Sequence, residues 1–435
     1  MLMQRAELLR AIELRLAKPG REAAPVVLLL NVDRFEVIND NLGPLVGQHA
    51  LELIRRRIQT CLRRSDMLAR LRGDEFGLLL GRRTRVVEAT ILAERIADAL
   101  RAPLSIGGHQ LTLTVSIGIA SGEGETSPVQ VLRNADIAMC QAKAAGRARY
   151  SVFDPHMRHR AWERMRLETD LRRALVDDEF VVHYQPIVDL ASSEPVGHEA
   201  LVRWQHHKRG LVPPSEFIPV AEDNGLIVPI GRLVLINACA QAAGWQHTGA
   251  QPLAVSVNLS ARQLERSEEL IGSVREALAT SQLDPGLLKL EITESAVMRD
   301  PEPAIATLWS LKGLGVKLAV DDFGTGYSSM AYLKRFPIDT LKIDRSFIDG
   351  IAHLLEDRAI VGATIAFARA LGMTVVAEGV ESDEQAAVLR DLGCDLGQGY
   401  LWASPRPCCS SPSLARRDRA LVGYALEQEV GCQLG

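Results

Sequence analysis

From Val181 to Gln398 the chain repeats one arrangement eight times: a short apolar run delivers a polar residue at its end. In order these residues are Gln185, Glu199, Asn258, Glu291, the pair Asp321 and Asp322, Lys342, Glu378 and Gln398. Six of the intervening segments are long enough for helices, among them Pro214 to Trp245, Ala261 to Ala279 and Arg358 to Leu371. Strands alternating with helices in this number predict a TIM-type barrel, whose face at the C-terminal strand ends gathers side chains from many strands. The exception is Gln185 to Glu199, a separation of 14 residues. A parallel crossover with its helix needs about a dozen residues or more on its own, so the first strand is expected to run antiparallel to the second. One strand-end acid alone reads as a surface group; the same placement recurring along the unit reads as one site.

Glu199, Asn258, Glu291 and Asp321 offer oxygen donors without sulfur or imidazole, a set that suits Mg²⁺ or Mn²⁺ rather than zinc. Adjacent Asp321 and Asp322 add a second point: one carboxylate can bridge two ions while its neighbour binds the second. Such a pair activates water for in-line displacement at phosphorus. Two roles stand open for Lys342, orienting that water or neutralising developing charge, and two for Glu378, binding the second ion or taking a proton. So many carboxylates repel one another without cations, so metal binding is expected to stabilise the fold. The loop Asp321-Asp322-Phe323-Gly324-Thr325-Gly326-Tyr327 follows a strand and carries two glycines, the composition of a mobile functional loop. These residues by themselves predict a two-metal phosphodiesterase of unspecified substrate.

Other features bound that reading. At 435 residues the chain exceeds one ordinary core, which predicts two domains. A formal charge of −4 provides no basic field for a nucleic-acid polymer, whereas a small phosphodiester held by metals remains compatible. Apolar runs such as Val26 to Leu30 are far too short to span a bilayer, so no membrane helix is expected. The N-terminus places Arg5 and Glu7 in a helical pattern with no apolar signal region, which predicts a cytoplasmic protein. Seven scattered cysteines without a CxxC spacing read as reduced thiols, Cys408 and Cys409 as an exposed pair in a tail.

Ahead of the barrel, helical spacing from Met1 to Leu16 precedes the buried strand Val26 to Leu30, which leads to Asp33. A helix from Gly47 to Arg63, a strand pair around Leu68 to Leu80, a helix from Val86 to Leu100, a strand from Leu111 to Ala120 and a helix from Val129 to Ala145 complete a first α/β domain with a mostly antiparallel sheet. His156 to Leu175 interleaves six arginines with Glu163, Glu168 and Asp170, the pattern of a solvated connecting helix rather than a nucleic-acid patch.

Several strings in the barrel carry a resemblance. Tyr184-Gln185-Pro186, Glu199-Ala200-Leu201-Val202-Arg203, Asn258-Leu259-Ser260, Glu291-Ile292-Thr293-Glu294-Ser295, the Asp321 to Tyr327 loop, Leu341-Lys342-Ile343-Asp344, Ala377-Glu378-Gly379-Val380-Glu381 and Gln398-Gly399-Tyr400 resemble the EAL domain of cyclic di-GMP phosphodiesterases from about Leu167 to Pro405. The resemblance implies a barrel with an antiparallel first strand, two Mg²⁺ or Mn²⁺ ions, and hydrolysis of cyclic di-GMP to linear pGpG. It implies Glu199, Asn258, Glu291 and Asp321 as ligands of one ion, and Asp321, Asp322 and Glu378 as ligands of the other. It makes Lys342 the residue that positions the water, Gln185, Arg203 and Gln398 substrate contacts, and Glu294 the anchor of a loop linking the site to homodimerisation.

The first domain, from about Ala6 to Asp154, resembles a GGDEF domain, which makes cyclic di-GMP from GTP. Its signature stands as Arg72-Gly73-Asp74-Glu75-Phe76, with Arg72 in place of the first glycine. Asp33, Phe35, Asn39, Asp40, Asp74 and Glu75 keep metal- and nucleotide-type positions, and Lys143 and Arg147 match phosphate-contacting ones. Glu36, Pro44 and Gln48 depart, standing where the family has lysine, histidine and a guanine-reading aspartate. The segment with which such domains commonly open is absent before Gln4, which reads as a late start. Arg63-Arg64-Ser65-Asp66 matches the inhibitory RxxD site for cyclic di-GMP and equally a surface ion pair. The expected organisation is a degenerate GGDEF-like domain over 1–154, a linker helix over 155–175, an EAL barrel over 167–410 and a tail over 411–435 without an assigned role. The expected function is phosphodiesterase activity with a regulatory first domain binding GTP or cyclic di-GMP; the alternatives are a bifunctional enzyme and a non-catalytic receptor.

Overall fold

The computed structural model describes residues 3–17, 24–82, 84–106, 109–246, 252–324 and 333–407. The chain divides into two compact units, Met1–Met165 and Arg166–Gly435. In the first, β1 (Met3–Gln4), α1 (Arg5–Leu16), β2 (Val26–Val32), α2 (Phe35–Leu42), α3 (Pro44–Thr60), β3 (Met67–Arg70), β4 (Glu75–Leu79), α4 (Val86–Arg101), β5 (Leu104–Ile106), β6 (His109–Leu111), β7 (Val115–Ser121), α5 (Pro128–Ala144) and β8 (Tyr150–Val152) follow in order. A six-stranded sheet ordered β1-β3-β4-β2-β7-β8 is antiparallel through its four central strands and parallel at both edges. The apolar run at its centre, β2, has all seven residues buried. Helices cover both faces: Leu28 and Leu30 pack with Ile54, Ile58 and Ile96, and Val27 and Leu29 with Ile12, Val131 and Met139. A strand covered on both sides loses the alternation of polar and apolar residues, which is why it reads as an unbroken apolar run.

The expected strand from Leu111 to Ala120 is divided: β6 pairs only with β5 as a separate hairpin, and β7 begins at Val115. Helix α5 lies so close on β7 that a Cβ at Gly118 would stand 1.9 Å from the Ala135 carbonyl oxygen and 2.3 Å from the Met139 nitrogen. After β8 comes α6 (Pro155–Ala174), whose residues to Met165 belong to the first unit and from Arg166 to the second.

The second unit continues through β9 (Phe180–Asp189), β10 (Pro195–His206), β11 (Gly210–Val212), α7 (Pro214–Asn224), α8 (Ile227–Gln246), β12 (Ala254–Leu259), α9 (Ala261–Glu265), α10 (Ser267–Ser281), β13 (Leu288–Thr293), α11 (Glu294–Met298), α12 (Pro301–Lys312), β14 (Lys317–Phe323), β15 (Thr340–Ile343), α13 (Arg345–Ile348), α14 (Leu355–Ala370), β16 (Thr374–Ala377), α15 (Asp383–Asp391), β17 (Leu396–Gly397) and β18 (Arg406–Pro407). Eight strands close a ring in the order β9-β10-β12-β13-β14-β15-β16-β17, with β17 returning to β9. Neighbours are parallel except at β9, which is antiparallel on both sides. The antiparallel turn is built locally. The Asp189 carboxylate accepts bonds from the backbone N–H groups of Ala191 and Ser192 and from the Ser192 hydroxyl, an Asx-type turn that replaces a crossover.

That hairpin corrects one expectation. Gln185 and Glu199 do not end their strands but lie within them, directly opposite each other in register. A strand that runs the other way shares no C-terminal end with the rest, so its contribution comes from mid-strand. The span Pro214 to Trp245 is two helices separated at Gly225, which adopts φ +81.

By length and composition α8 is long and apolar enough to cross a membrane, with mean hydropathy 1.4 over its most apolar window. Its buried residues, among them Ile227, Ile230, Val234, Ala238 and Trp245, join the barrel's core, and half of that window is buried.

The substitution Gly118→Val is expected to destabilise the first unit by at least about 2 kcal/mol, because backbone atoms of α5 occupy the space a side chain needs. Urea denaturation followed by circular dichroism measures this; an unshifted midpoint contradicts the close packing of α5 on β7.

Candidate metal-binding active site

Ring closure brings Glu199, Asn258, Glu291, Asp321 and Lys342 inward from β10, β12, β13, β14 and β15, and Glu378 directly after β16. Asn258 lies opposite Glu291, and Asp321 opposite Thr293, in the parallel register. Oxygens of Glu199, Glu291 and Asp321 all lie within 4.8 Å of one another, and so do oxygens of Asp321, Asp322 and Glu378. Asp321 is common to both groups.

Consecutive strand residues normally face opposite sides of a sheet. Here the β14–β15 register shifts between Val320 and Phe323, and Asp322 adopts a left-handed φ of +54. That local departure places two neighbouring carboxylates in one site, and a non-glycine residue held in this region is a form of strain found at functional sites.

Lys342 is fully buried, and its Nζ stands 2.5 Å from Glu291 Oε2, 2.5 Å from Glu378 Oε1, 3.2 Å from Asp321 Oδ2 and 3.7 Å from Glu199 Oε2. Burial by itself lowers an ammonium pKa, but the charges of Glu199, Glu291, Glu378 and Asp321 outweigh it and hold Lys342 well above its ordinary value. Its partners are raised as well: burial raises Glu291 and Glu378, Lys342 opposes, and neighbouring Glu199 and Asp321 raise them further. Burial, then Asp321, also raises Asp322. One cation thus faces five acids, and the excess is relieved by retaining protons or by taking up cations.

Amides hold Glu199 in place. Asn258 Nδ2 donates to its Oε1 at 2.5 Å, and Gln398 Nε2 donates to its Oε2 at 2.6 Å and to Gln185 Oε1 at 3.1 Å. Gln185 Nε2 in turn donates to the Ala403 carbonyl. Two buried oxygens in this cluster, Glu291 Oε1 and Gln398 Oε1, have no hydrogen-bond partner. Orphaned oxygens beside an oxygen-rich carboxylate set fit a hard divalent cation. Arg203, half-buried, lies four residues beyond Glu199 on β10. Burial lowers its pKa, against the pull of Tyr400 and Glu199. Buried Glu294 accepts from the Gly324 N–H through Oε2 at 3.1 Å, tying α11 to the start of the Asp321 loop. Thr325, Gly326 and Tyr327 of that loop, and Cys408 and Cys409 of the tail, lie outside the described residues.

The acids of the first unit are placed differently. Asp33 accepts from the Thr114 and Ser116 hydroxyls at 2.7 Å each and from the Ala148 N–H at 3.1 Å. Asp74 accepts from Asn31, and Glu75 pairs with Arg72 at 3.7 Å. A Cβ at Gly47 would meet Asn39 Oδ1. Lys143 lies in the last turn of α5, and Arg147 follows it at φ +60. Among the described residues no group of three acidic, histidine or cysteine ligands forms in this unit. Asp66 accepts from the N–H groups of Arg63 and Gly81, at 2.8 Å each, so the carboxylate of the RxxD string closes a turn. A further group absent from the sequence expectations joins Glu179 with His206 and His207; the only sequence signal is the doubled histidine at a strand end.

Comparison with known proteins agrees with both resemblances. Residues 168–405 match the EAL domain model, and residues 1–149 match that of the diguanylate cyclase, GGDEF domain. The bifunctional diguanylate cyclase/cyclic di-GMP phosphodiesterase MucR of Pseudomonas aeruginosa is 43% identical over 383 residues, 88% of this chain and 56% of that protein. The cyclic di-GMP phosphodiesterase NbdA of the same organism is 42% identical over 395 residues, 90% of this chain and 50% of that protein. The chain thus spans about half the length of these curated relatives. The solved structure of the PaMucR phosphodiesterase in complex with c-di-GMP is similar with a TM-score of 0.54 and 46% identity, covering 56% of this chain and 98% of that one.

The raised carboxyls set a pH signature for the metal-free protein. A folded pKa above the unfolded value means that the native state binds protons more tightly, so their stabilisation is full below the ordinary glutamate value of 4.5. It is lost as pH rises through the native values, about 7 for Glu291 and about 8 for Glu378. Thermal melts in EDTA should therefore show falling stability across that window, and Mn²⁺ should restore it while releasing protons. Calorimetry of Mn²⁺ binding in two buffers of different ionisation enthalpy measures the release; its absence at pH 7 contradicts the protonated cluster.

Proposed function

Because the chain belongs to the EAL family, with a GGDEF domain preceding the EAL domain, we propose that its barrel hydrolyses cyclic di-GMP to linear pGpG in a metal-dependent reaction. The observation that carries this reading is the shared Asp321, which joins two carboxylate groups around one buried lysine. Glu199, Asn258, Glu291 and Asp321 would hold one Mg²⁺ or Mn²⁺, and Asp321, Asp322 and Glu378 the second. Bound there, the ions supply an activated water and charge neutralisation at the phosphodiester. The chain's own groups do the rest. Lys342, fixed by carboxylates around it, presents an ammonium that orients the water and offsets charge developing on the phosphate oxygens. Glu378 has a second role open to it in place of binding the ion, that of accepting and returning a proton beside the activated water. Gln398 and Asn258 fix the Glu199 carboxylate, and Arg203, with Gln185 and Gln398, provides the substrate contacts.

Glu199→Ala and Asp321→Asn should each lower metal-dependent pGpG release by at least about 1,000-fold while leaving the circular dichroism spectrum unchanged. Chromatography of the products measures this; full activity in either variant overturns the assignment. A wild type that binds cyclic di-GMP but gives no product with Mg²⁺ or Mn²⁺ supports a receptor instead.

The first unit is read as a degenerate, regulatory GGDEF domain. Gln48 lacks the carboxylate that accepts guanine N–H groups, and Arg72, Glu36 and Pro44 depart from the family pattern. The bifunctional reading has one observation in its favour, the name of the relative MucR at 43% identity. Incubation with GTP and Mg²⁺ separates the two: no cyclic di-GMP is expected, and a hydrolysis rate changed by saturating GTP marks regulation. Product formed from GTP favours the bifunctional enzyme.

A further inference from the structure

Asp322 and Glu378 belong to one group of close carboxylates although β15 separates their strands. Asp322 departs from regular strand geometry and Glu378 lies just past β16, so strand pairing alone does not fix the two side chains. Like charges held this near repel. The restraint has to come from outside the cluster, and the chain that delivers Lys342 supplies it.

Beyond Lys342 that chain turns directly into α13. Asp344 caps the turn by accepting from the Ser346 N–H at 3.0 Å. At the other end the Ile348 carbonyl accepts from Gln385 Nε2 at 3.1 Å, and Gln385 Oε1 accepts from the N–H groups of Glu381 at 2.8 Å and Ser382 at 3.0 Å. One buried amide thus joins α13 to the segment that follows Glu378. Arg345 covers the same segment. Gly379 adopts φ +70, and a Cβ there would stand 2.4 Å from Arg345 Cγ and 2.7 Å from its Cβ, so the arginine stem lies on the backbone immediately after Glu378. Its Nη2 reaches Glu381 Oε1 at 2.9 Å, and its Nε donates to Asp349 Oδ1 at 3.1 Å. On the opposite side the Gly399 backbone closes in, since a Cβ at Gly399 would stand 2.0 Å from the Val380 carbonyl oxygen. Phe347 of the same short helix meets the other segment. Gly324, two residues after Asp322, adopts φ +100, and a Cβ there would stand 2.8 Å from Phe347 Cε2 and 3.1 Å from Cζ.

We infer that α13 is the brace that sets the spacing of Asp322 and Glu378, with Arg345 and Phe347 as positioning residues of the site. The inference rests on the two-ion reading proposed above. Arg345 bonds to Asp349 and Glu381 rather than to the cluster, so it acts through Gly379, and Phe347 acts through Gly324. Lys342 and the brace are parts of one continuous segment, which ties the ammonium at the centre of the cluster to the acids at its edge. Groups that hold ligands from behind in this way set how tightly an ion is bound without touching it.

The test uses the full chain, freed of metal with EDTA and titrated with Mn²⁺ by calorimetry, followed by hydrolysis of cyclic di-GMP at several Mn²⁺ concentrations. The wild type should take two ions. Arg345→Ala should bind the first as the wild type does and the second at least about tenfold more weakly. Its kcat should fall at limiting Mn²⁺ while KM for cyclic di-GMP stays unchanged, the mark of a residue that does not touch substrate. Arg345→Lys, which keeps the stem and a cation, should restore the second ion. Phe347→Ala should lose the second ion in the same way; the Arg345 side chain is half-exposed, so Arg345→Ala decides the matter if Phe347→Ala fails to fold. A wild type that takes two ions and an Arg345→Ala protein that binds both as tightly overturns the inference alone. A raised KM with unchanged kcat also overturns it, by making Arg345 a substrate contact. A wild type that takes fewer than two ions overturns the two-ion reading and the inference with it.

Discussion

A single buried ammonium, that of Lys342, lies among carboxylates delivered by β10, β13, β14 and the residue after β16. Removing that charge from water costs several kcal/mol unless partners surround it, and only the closed ring supplies partners from so many strands. The balance is nevertheless uneven, since five acids gather there around one lysine. The surplus negative charge cannot be dissipated by solvent in so buried a place. It is met by protons on Glu291 and Glu378 or by cations, and a cation bound there would be coupled to the protonation and stability of the barrel.

The two units show how one residue type takes opposite meanings. Asp33 in the first unit is buried to about the same degree as Glu199 and Asp321 in the barrel, yet two hydroxyls and a backbone amide satisfy it. Asp66 is likewise held by two backbone amides. In the barrel the donors run short: Asn258 and Gln398 supply Glu199, while an oxygen of Glu291 is left without a partner. An acid with enough donors is structure; acids that outnumber their donors are a site for something positive.

Much of the barrel site was legible because parallel strands deliver their last residues to one face. Asn258, Glu291, Asp321 and Lys342 could thus be grouped from spacing alone. The places that were not legible share a cause, a local departure from regular periodicity. Gln185 lies mid-strand because β9 runs against its neighbours, and Glu199 because β10 continues past it to His206. Asp321 and Asp322 could be paired from their adjacency, but the register shift and left-handed φ that interrupt the alternation and let both face one site could not be read. Glu179, His206 and His207 meet only because an antiparallel register sets the start of one strand beside the end of its neighbour.

The sequence by itself determined the alternation of strands and helices, the antiparallel first strand and the oxygen-only chemistry at the strand ends, because these depend on short-range spacing and residue type. Only the tertiary structure decided which acids share one volume and which donors reach them. Charge balance depends on distances of a few ångströms between residues up to 199 positions apart, such as Glu199 and Gln398, and ring closure alone sets those distances.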